Sequence, residues 1–307
     1  MSLRRIGTVS LPPHAAGGGF DHAGADRSAD RLYVAHTSND AVEVLDLERR
    51  SHEGTLQGFP GVAGAAAWEG HGLLVTTCRG DAAVGLAALA GPGTVRSLRR
   101  VQVGARPNGL ALAPGAGVAL AACLGEAGAP SLAVIDLERG AVLASAPLPG
   151  PPRWVVCDPD AGCFYVNIAA PPQIAVVRGA PPFEILRSIP VPVPGPHGLD
   201  LDEGRGLLHC ACDGGAVVTV EAGSGRVVAQ VLIAGVPDVV FFNPRRDRLY
   251  IAVGDPGVLQ SIDTAAGRVV ETLPTEKGAK TFGFDAGREH LFVLLPATNA
   301  AAVLAEA

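Results

Sequence analysis

Arg31–Glu48, RLYVAHTSNDAVEVLDLE, recurs in altered form along the chain, and this repetition constrains the fold more than any other feature. The unit reads as two strands joined by a short turn. An apolar run, Leu32-Tyr33-Val34-Ala35, leads into His36-Thr37-Ser38-Asn39-Asp40 and then into Val42, Val44 and Leu45. Asn and Asp tolerate left-handed backbone and bond their own main chain, which suits them to that turn. Arg248–Thr264 is a near copy, and looser ones are His71–Ala87, Gly117–Glu138, Cys163–Arg178, Gly206–Glu221 and His290–Leu304. Aligned on Tyr33, they bring Leu74, Leu120, Tyr165, Leu208, Tyr250 and Phe292 into one column, at steps of 41, 46, 45, 43, 42 and 42 residues. Seven copies at that period, four strands to each, predict an all-β chain: a seven-bladed β-propeller of four-stranded antiparallel blades.

The 307 residues would suffice for two domains, but seven unbroken repeats predict one, spanning 1–307. Arg5–Pro12 resembles Arg268–Pro274, the last strand of another repeat, whereas the final repeat runs out at Ala307 without such a strand. Residues 3–11 are therefore expected to complete the C-terminal blade, so that neither end leaves an open sheet edge. Alanine-rich Ala63–Trp68 and Ala82–Ala90 fall where the repeat demands strands and are assigned as such. The motifs Asp158-Pro159-Asp160-Ala161-Gly162, Asn243–Asp247, Asp136–Gly140 and Asp263–Gly267 read as turns, and their acids as turn formers.

Charged residues make up only 18% of the chain and hydrophobic ones 48%, enough apolar surface to fill the space between blades. The net charge is -6 with no basic run, which excludes nucleic acid and anionic membrane as expected partners. No run of 18 apolar residues is present, so no transmembrane helix is expected. MSLRRIGTVSLPP lacks the apolar core of a signal peptide, and the six cysteines read as small reduced hydrophobes, so the expected location is cytoplasmic.

Tyr33-Val34-Ala35-His36, Tyr165-Val166-Asn167-Ile168 and Tyr250-Ile251-Ala252-Val253, with the downstream Val134-Ile135-Asp136 and Ser261-Ile262-Asp263-Thr264, resemble the repeats of the YVTN-type seven-bladed β-propellers. The likeness runs the whole chain, the second and seventh repeats being degenerate. It implies a ring of four-stranded blades and often a ligand- or partner-binding role; such motifs specify blades rather than reactions.

Function is sought where equivalent positions differ. Pro107, Pro152, Pro196 and Pro237 occupy one position, with Phe20, Ala63 and Ala279 as counterparts; the next residues are Asn108, Arg153, His197, Asp238, Asp21, Gly64 and Lys280. In a propeller this position follows the crossover between blades and faces the mouth of the central channel. Six of the seven are polar or ionisable. Arg153, His197, Asp238, Lys280 and Asp21 follow one another in repeat order and are expected to form one cluster. Arg and Lys there suit a small-molecule anion, and His197 beside Asp238 suits acid–base chemistry near neutral pH. His36 and Arg79, past the inner hairpin strand, and Trp154, beside Arg153, are added as candidate ligand contacts.

Two functions follow, beside a third reading, a scaffold that uses the blade rims and tolerates any change at the mouth. One is a binding protein whose mouth takes a small ligand, an anion, or a protein partner. The other is an enzyme of the lactone hydrolase or lyase type with His197 and Asp238 as catalytic residues. A divalent cation on Asp21, Asp238 and His197 is the one cofactor considered, and Lys280 between the aspartates counts against it; no metal ligand is assigned. Cys210-Ala211-Cys212 would need two further ligands to hold zinc. Walker, Gly-x-Ser-x-Gly and dinucleotide fingerprints are absent.

Overall fold

The computed structural model describes residues 2–126 and 129–306; Ala127 and Gly128, inside the repeat Gly117–Glu138, lie outside them. The chain falls into two compact units, residues 1–148 with 281–307 and residues 149–280. Together they contain seven four-stranded antiparallel sheets, as a seven-bladed β-propeller requires.

The first unit holds four blades. One is built from β1 (Leu3–Ser10), β26 (Phe282–Asp285), β27 (His290–Leu295) and β28 (Ala300–Glu306). The next is β2 (Ala23–Asp26), β3 (Arg31–His36), β4 (Ala41–Asp46) and β5 (Ser51–Gln57). Then come β6 (Val62–Trp68), β7 (Leu73–Cys78), β8 (Ala83–Gly91) and β9 (Thr94–Gln102). The fourth is β10 (Pro107–Ala113), β11 (Val118–Cys123), β12 (Ser131–Asp136) and β13 (Ala141–Pro147).

The second unit holds three. They are β14 (Pro152–Asp158), β15 (Cys163–Ile168), β16 (Gln173–Arg178) and β17 (Ile185–Pro190); β18 (Pro196–Asp202), β19 (Leu207–Cys212), β20 (Ala216–Glu221) and β21 (Val227–Leu232); and β22 (Pro237–Asn243), β23 (Arg248–Val253), β24 (Val258–Asp263) and β25 (Arg268–Pro274).

Successive side chains of a strand point to opposite faces, so a strand buried on both faces carries an unbroken apolar run. Residues 32–35 show this. Leu32 and Val34 pack with Val9, Phe292 and Val303, whereas Tyr33 and Ala35 pack with Phe59, Val62 and Leu74 of the following blade. The seven residues aligned with Tyr33 lie on the second strand of each blade and are at most 3% exposed. The outermost strands face water on one side, and β25 alternates exposed with half-buried residues along its length.

The turn acids are structural. Asp158 Oδ1 accepts the Ala161 N–H at 2.8 Å, Asp263 Oδ1 that of Ala266 at 2.9 Å, and Asp136 Oδ1 that of Arg139 at 2.8 Å. The repeat turn at Thr37–Asn39 is a single 3-10 turn ending on Asp40 in left-handed backbone. Cys157 and Cys163 do not sit opposite one another: Cys163 pairs with Asp158, and Cys157 with Phe164.

The N-terminal strand completes the C-terminal blade. β1 pairs antiparallel with β28 from Leu3↔Glu306 to Ser10↔Ala300, and the Leu11 N–H continues onto Asn299 O at 2.8 Å. Deleting residues 1–12 removes the buried side chains of Leu3, Val9 and Leu11 and bares the β28 edge. At about 2 kcal/mol for each such side chain, the deletion is expected to destabilise the first unit by roughly 6 kcal/mol. An unchanged melting temperature in the truncated chain would show that the strand adds nothing to closure. Among the described residues no helix is long and apolar enough to cross a membrane.

Candidate ligand site

Five of the variable positions lie at a backbone irregularity near the start of a blade's first strand, in β6, β10, β14, β18 and β22. Pro196 pairs with Cys212 and Gly198 with Ala211, which leaves His197 on a bulge. Asn108 is placed likewise between Pro107↔Cys123 and Gly109↔Ala122. The register also slips between Pro152 and Val155, around Arg153 and Trp154, and between Pro237 and Val240, around Asp238. A bulge leaves a residue unpaired and re-aims its side chain, a recurrent device for presenting functional groups. In the β6–β9 blade the frame lies one residue earlier than expected: Val62 pairs with Cys78 in the proline's place, and Ala63, not Gly64, takes the bulge. Gly64 is held by its N–H, which donates to Thr77 Oγ1 at 2.8 Å.

Within residues 149–280 four expected residues join one chain of charges. His197 Nδ1 lies 2.7 Å from Asp213 Oδ1, and its Nε2 lies 3.2 Å from Asp238 Oδ1. Asp238 Oδ2 is 3.0 Å from Lys280 Nζ, and Arg153 Nη2 is 3.9 Å from Asp213 Oδ2. Burial opposes charge on His197, but the carboxylates of Asp213 and Asp238 outweigh it and raise the imidazole pKa to about 9. His197 is therefore an imidazolium near neutral pH. A group gripped at both nitrogens has no lone pair with which to take a proton, so at neutral pH His197 is a cation and a proton donor, not a base.

The bulge that holds His197 is itself fastened. Asn167 is fully buried on β15 and donates its Nδ2 to the carbonyl oxygens of His197 and Gly198, each at 3.0 Å. A Cβ at Gly198 would overlap the Asp238 carbonyl oxygen, so glycine permits the close approach of the next strand. Replacing Asn167 by alanine leaves two carbonyls without this donor, and a loss of about 2 kcal/mol is expected. The variant should also lower the His197 pKa as the imidazole loosens. An NMR titration of that ring unchanged from wild type would refute the positioning role.

Beside these residues lies a cavity of about 420 Å³ lined by His197, Asp238, Lys280, Lys277, Asp255 and Val236, with Pro237, Gly254 and Gly278 completing its wall. Lys277 Nζ is 3.5 Å from Asp255 Oδ2, and both side chains are largely exposed. Trp154 does not line this space; half-buried, it packs on the core between the β14–β17 and β18–β21 blades.

The remaining expected residues lie in the first unit. Asp21 Oδ2 accepts from Arg79 Nη2 at 2.8 Å, its Oδ1 is 2.6 Å from His22 Nδ1, and Arg79 Nε donates to Asn108 Oδ1 at 3.1 Å. The expected five-residue cluster is thus seen as a chain running Arg153, Asp213, His197, Asp238, Lys280, with Asp21 tied to Arg79 and His22. His36 departs from the expected surface position: it is fully buried. Its Nδ1 is 2.8 Å from Glu43 Oε1 and its Nε2 is 2.8 Å from His14 Nδ1. Burial and the neighbouring His36 hold the His14 pKa below its ordinary value.

Asp213 and Asp255, past the inner hairpin strand like His36 and Arg79, read in the sequence as turn formers bordering the same face, and Lys277 was not considered as a ligand contact. Asp213 and Asp255 end the second strand of a hairpin, where acids usually serve turns, and Lys277 lies in a loop outside the repeat. One signal pointed to Lys277: it and Lys280 are the only lysines in the chain. Among the described residues no three His, Cys, Asp or Glu side chains converge as a metal site.

No family model and no curated protein matches the chain. Among solved structures it is similar to Kuenenia stuttgartiensis hydrazine synthase, with a TM-score of 0.84 over 96% of this chain and 97% of that one. The sequences are 14% identical, so the likeness shows a shared fold. The fold is a seven-bladed β-propeller.

Proposed function

We propose that the chain is a YVTN-like β-propeller that binds a small molecule in the cavity beside His197, Asp238 and Lys280. The observation that carries this reading is the cavity itself: about 420 Å³ of concave space with convergent polar groups. That size lies in the ordinary range of small-molecule sites. Lys280 and the His197 imidazolium supply positive charge, Asp238 and Asp213 hold them in place, and Arg153 braces Asp213 from behind. The Arg79–Asp21–Asn108 group is a second polar cluster, already occupied by its own ion pair and hydrogen bonds.

Binding is favoured over lactone hydrolysis or elimination because His197, expected with Asp238 to carry the chemistry, is held protonated and does not serve as a base. A thermal-shift screen of small organic anions and lactones, run on wild type and on Lys280→Gln, tests the reading. A ligand at a hundredfold excess over its Kd stabilises by about 2.7 kcal/mol. Ligands that raise the wild-type melting temperature and lose that effect in Lys280→Gln are expected. Hits that persist in the variant would move the site elsewhere, and turnover of a lactone would replace binding by catalysis.

A further inference from the structure

The make-up of this cavity goes further than its existence and, resting on the ligand-site reading above, specifies a ligand class. Its wall is apolar or bare backbone over Val236, Pro237, Gly254 and Gly278. Its charged groups are Lys277, Lys280 and the His197 imidazolium against Asp238 and Asp255, three cations facing two carboxylates. Adding the residues behind them, Asp213 and Arg153, contributes one charge of each sign, so the excess among these seven groups is a single positive charge. These charges are held in place on the His197 side. Asp238 is buried between His197 and Lys280, and the His197 ring is fixed by a carboxylate at each nitrogen. Lys280 is half-exposed, its side chain 48% accessible, so its ammonium can be reached.

A doubly charged anion would overfill a site with one excess positive charge. A neutral molecule would bring no partner for that charge. Inorganic phosphate would satisfy the lysines but leave the Val236–Pro237 wall wet, forfeiting the burial that the wall provides. Lysine ammoniums are point-like donors that suit a small terminal oxyanion.

We infer that the cavity takes an organic monocarboxylate, its carboxylate at Lys280 and Lys277 and its aliphatic or aromatic body along Val236 and Pro237. The ligand is bound through one charge and one apolar face.

Isothermal titration calorimetry of the full chain near neutral pH, with hexanoate, benzoate, hexanamide, succinate and inorganic phosphate as probes, tests the class. Hexanoate or benzoate is expected to bind at least roughly tenfold more tightly than each of the other three. Lys280→Gln should weaken the monocarboxylates by about tenfold or more, and Val236→Asp should weaken them while leaving the fold intact, since Val236 is 52% exposed. Tighter binding of succinate or phosphate, or equal binding of hexanamide, would overturn the monocarboxylate class, while dependence on Lys280 would keep the small-ligand site. If no probe binds wild type, the class fails; the anion and lactone screen then decides separately whether a ligand of another kind uses the cavity.

Discussion

Asp238→Asn is expected to cost about 3 kcal/mol at neutral pH and to flatten the alkaline loss of stability that His197 imposes on the wild type. The Asp238 carboxylate is 6% exposed and lies between an imidazolium and an ammonium, so neutralising it leaves two cations facing one another. The sign of the pH effect follows from the His197 pKa, raised from 6.5 to about 9 on folding. The folded chain holds that proton more tightly than the unfolded chain. The stabilisation is complete below pH 6.5 and disappears as pH rises through about 9. With Asp213 as the only remaining carboxylate, the folded pKa falls and the window narrows. Urea unfolding at several pH values between 6 and 9.5 measures both variants. An Asp238→Asn chain with the wild-type slope over that range would show that Asp238 does not hold the proton.

The Glu43→Ala variant is expected to lose roughly 4 kcal/mol, because Glu43 is fully buried and accepts three hydrogen bonds. His36 Nδ1 lies 2.8 Å from Oε1, His52 Nε2 is 2.8 Å from Oε2, and the Thr55 hydroxyl donates to Oε2 at 2.5 Å. Burial alone would raise the carboxyl pKa, but the donors from His36, Thr55 and His52 together bring it below the ordinary value. A depressed pKa stabilises above the unfolded value of 4.5 and ceases to do so as pH falls through the folded one. His14, whose pKa is also lowered, adds an earlier loss: folding keeps it neutral, so stability starts to fall as pH drops below 6.5. The wild type should therefore weaken in two stages on acidification. The second stage should be missing in Glu43→Ala. Acid titration followed by circular dichroism measures it, and an identical acid limb in both chains would refute the role of the carboxylate.

Blade number and blade boundaries could be read from the sequence because they rest on short-range pattern. Tyr33 and its six counterparts recur every 41–46 residues, and each occupies the second strand of its blade. Alanine-rich Ala63–Trp68 is a strand despite its composition, since residues such as Ala65 and Trp68 pack against neighbouring blades. The closing strand was legible for the same reason: Arg5–Pro12 looks like another repeat's last strand and is used as one.

The site was legible in part. Polar residues after a proline marked His197, Arg153, Asp238 and Asn108, because the bulge that carries them starts at that proline. The same rule misplaced the β6–β9 bulge by a residue, where Val62 replaces the proline. His36 looked like a hairpin-end residue, but its burial depends on His14 and Glu43, which lie 22 positions before it and seven after it.

Sequence by itself determined the strands, their grouping into seven blades and the use of the N-terminal segment, because periodic apolar residues and turn formers act over a few residues. Tertiary structure alone decided that His197 is an imidazolium. That depends on Asp213 and Asp238, 16 and 41 positions away, being brought against its two nitrogens. An electrostatic environment is a sum over distances in space, and a one-dimensional pattern does not contain those distances.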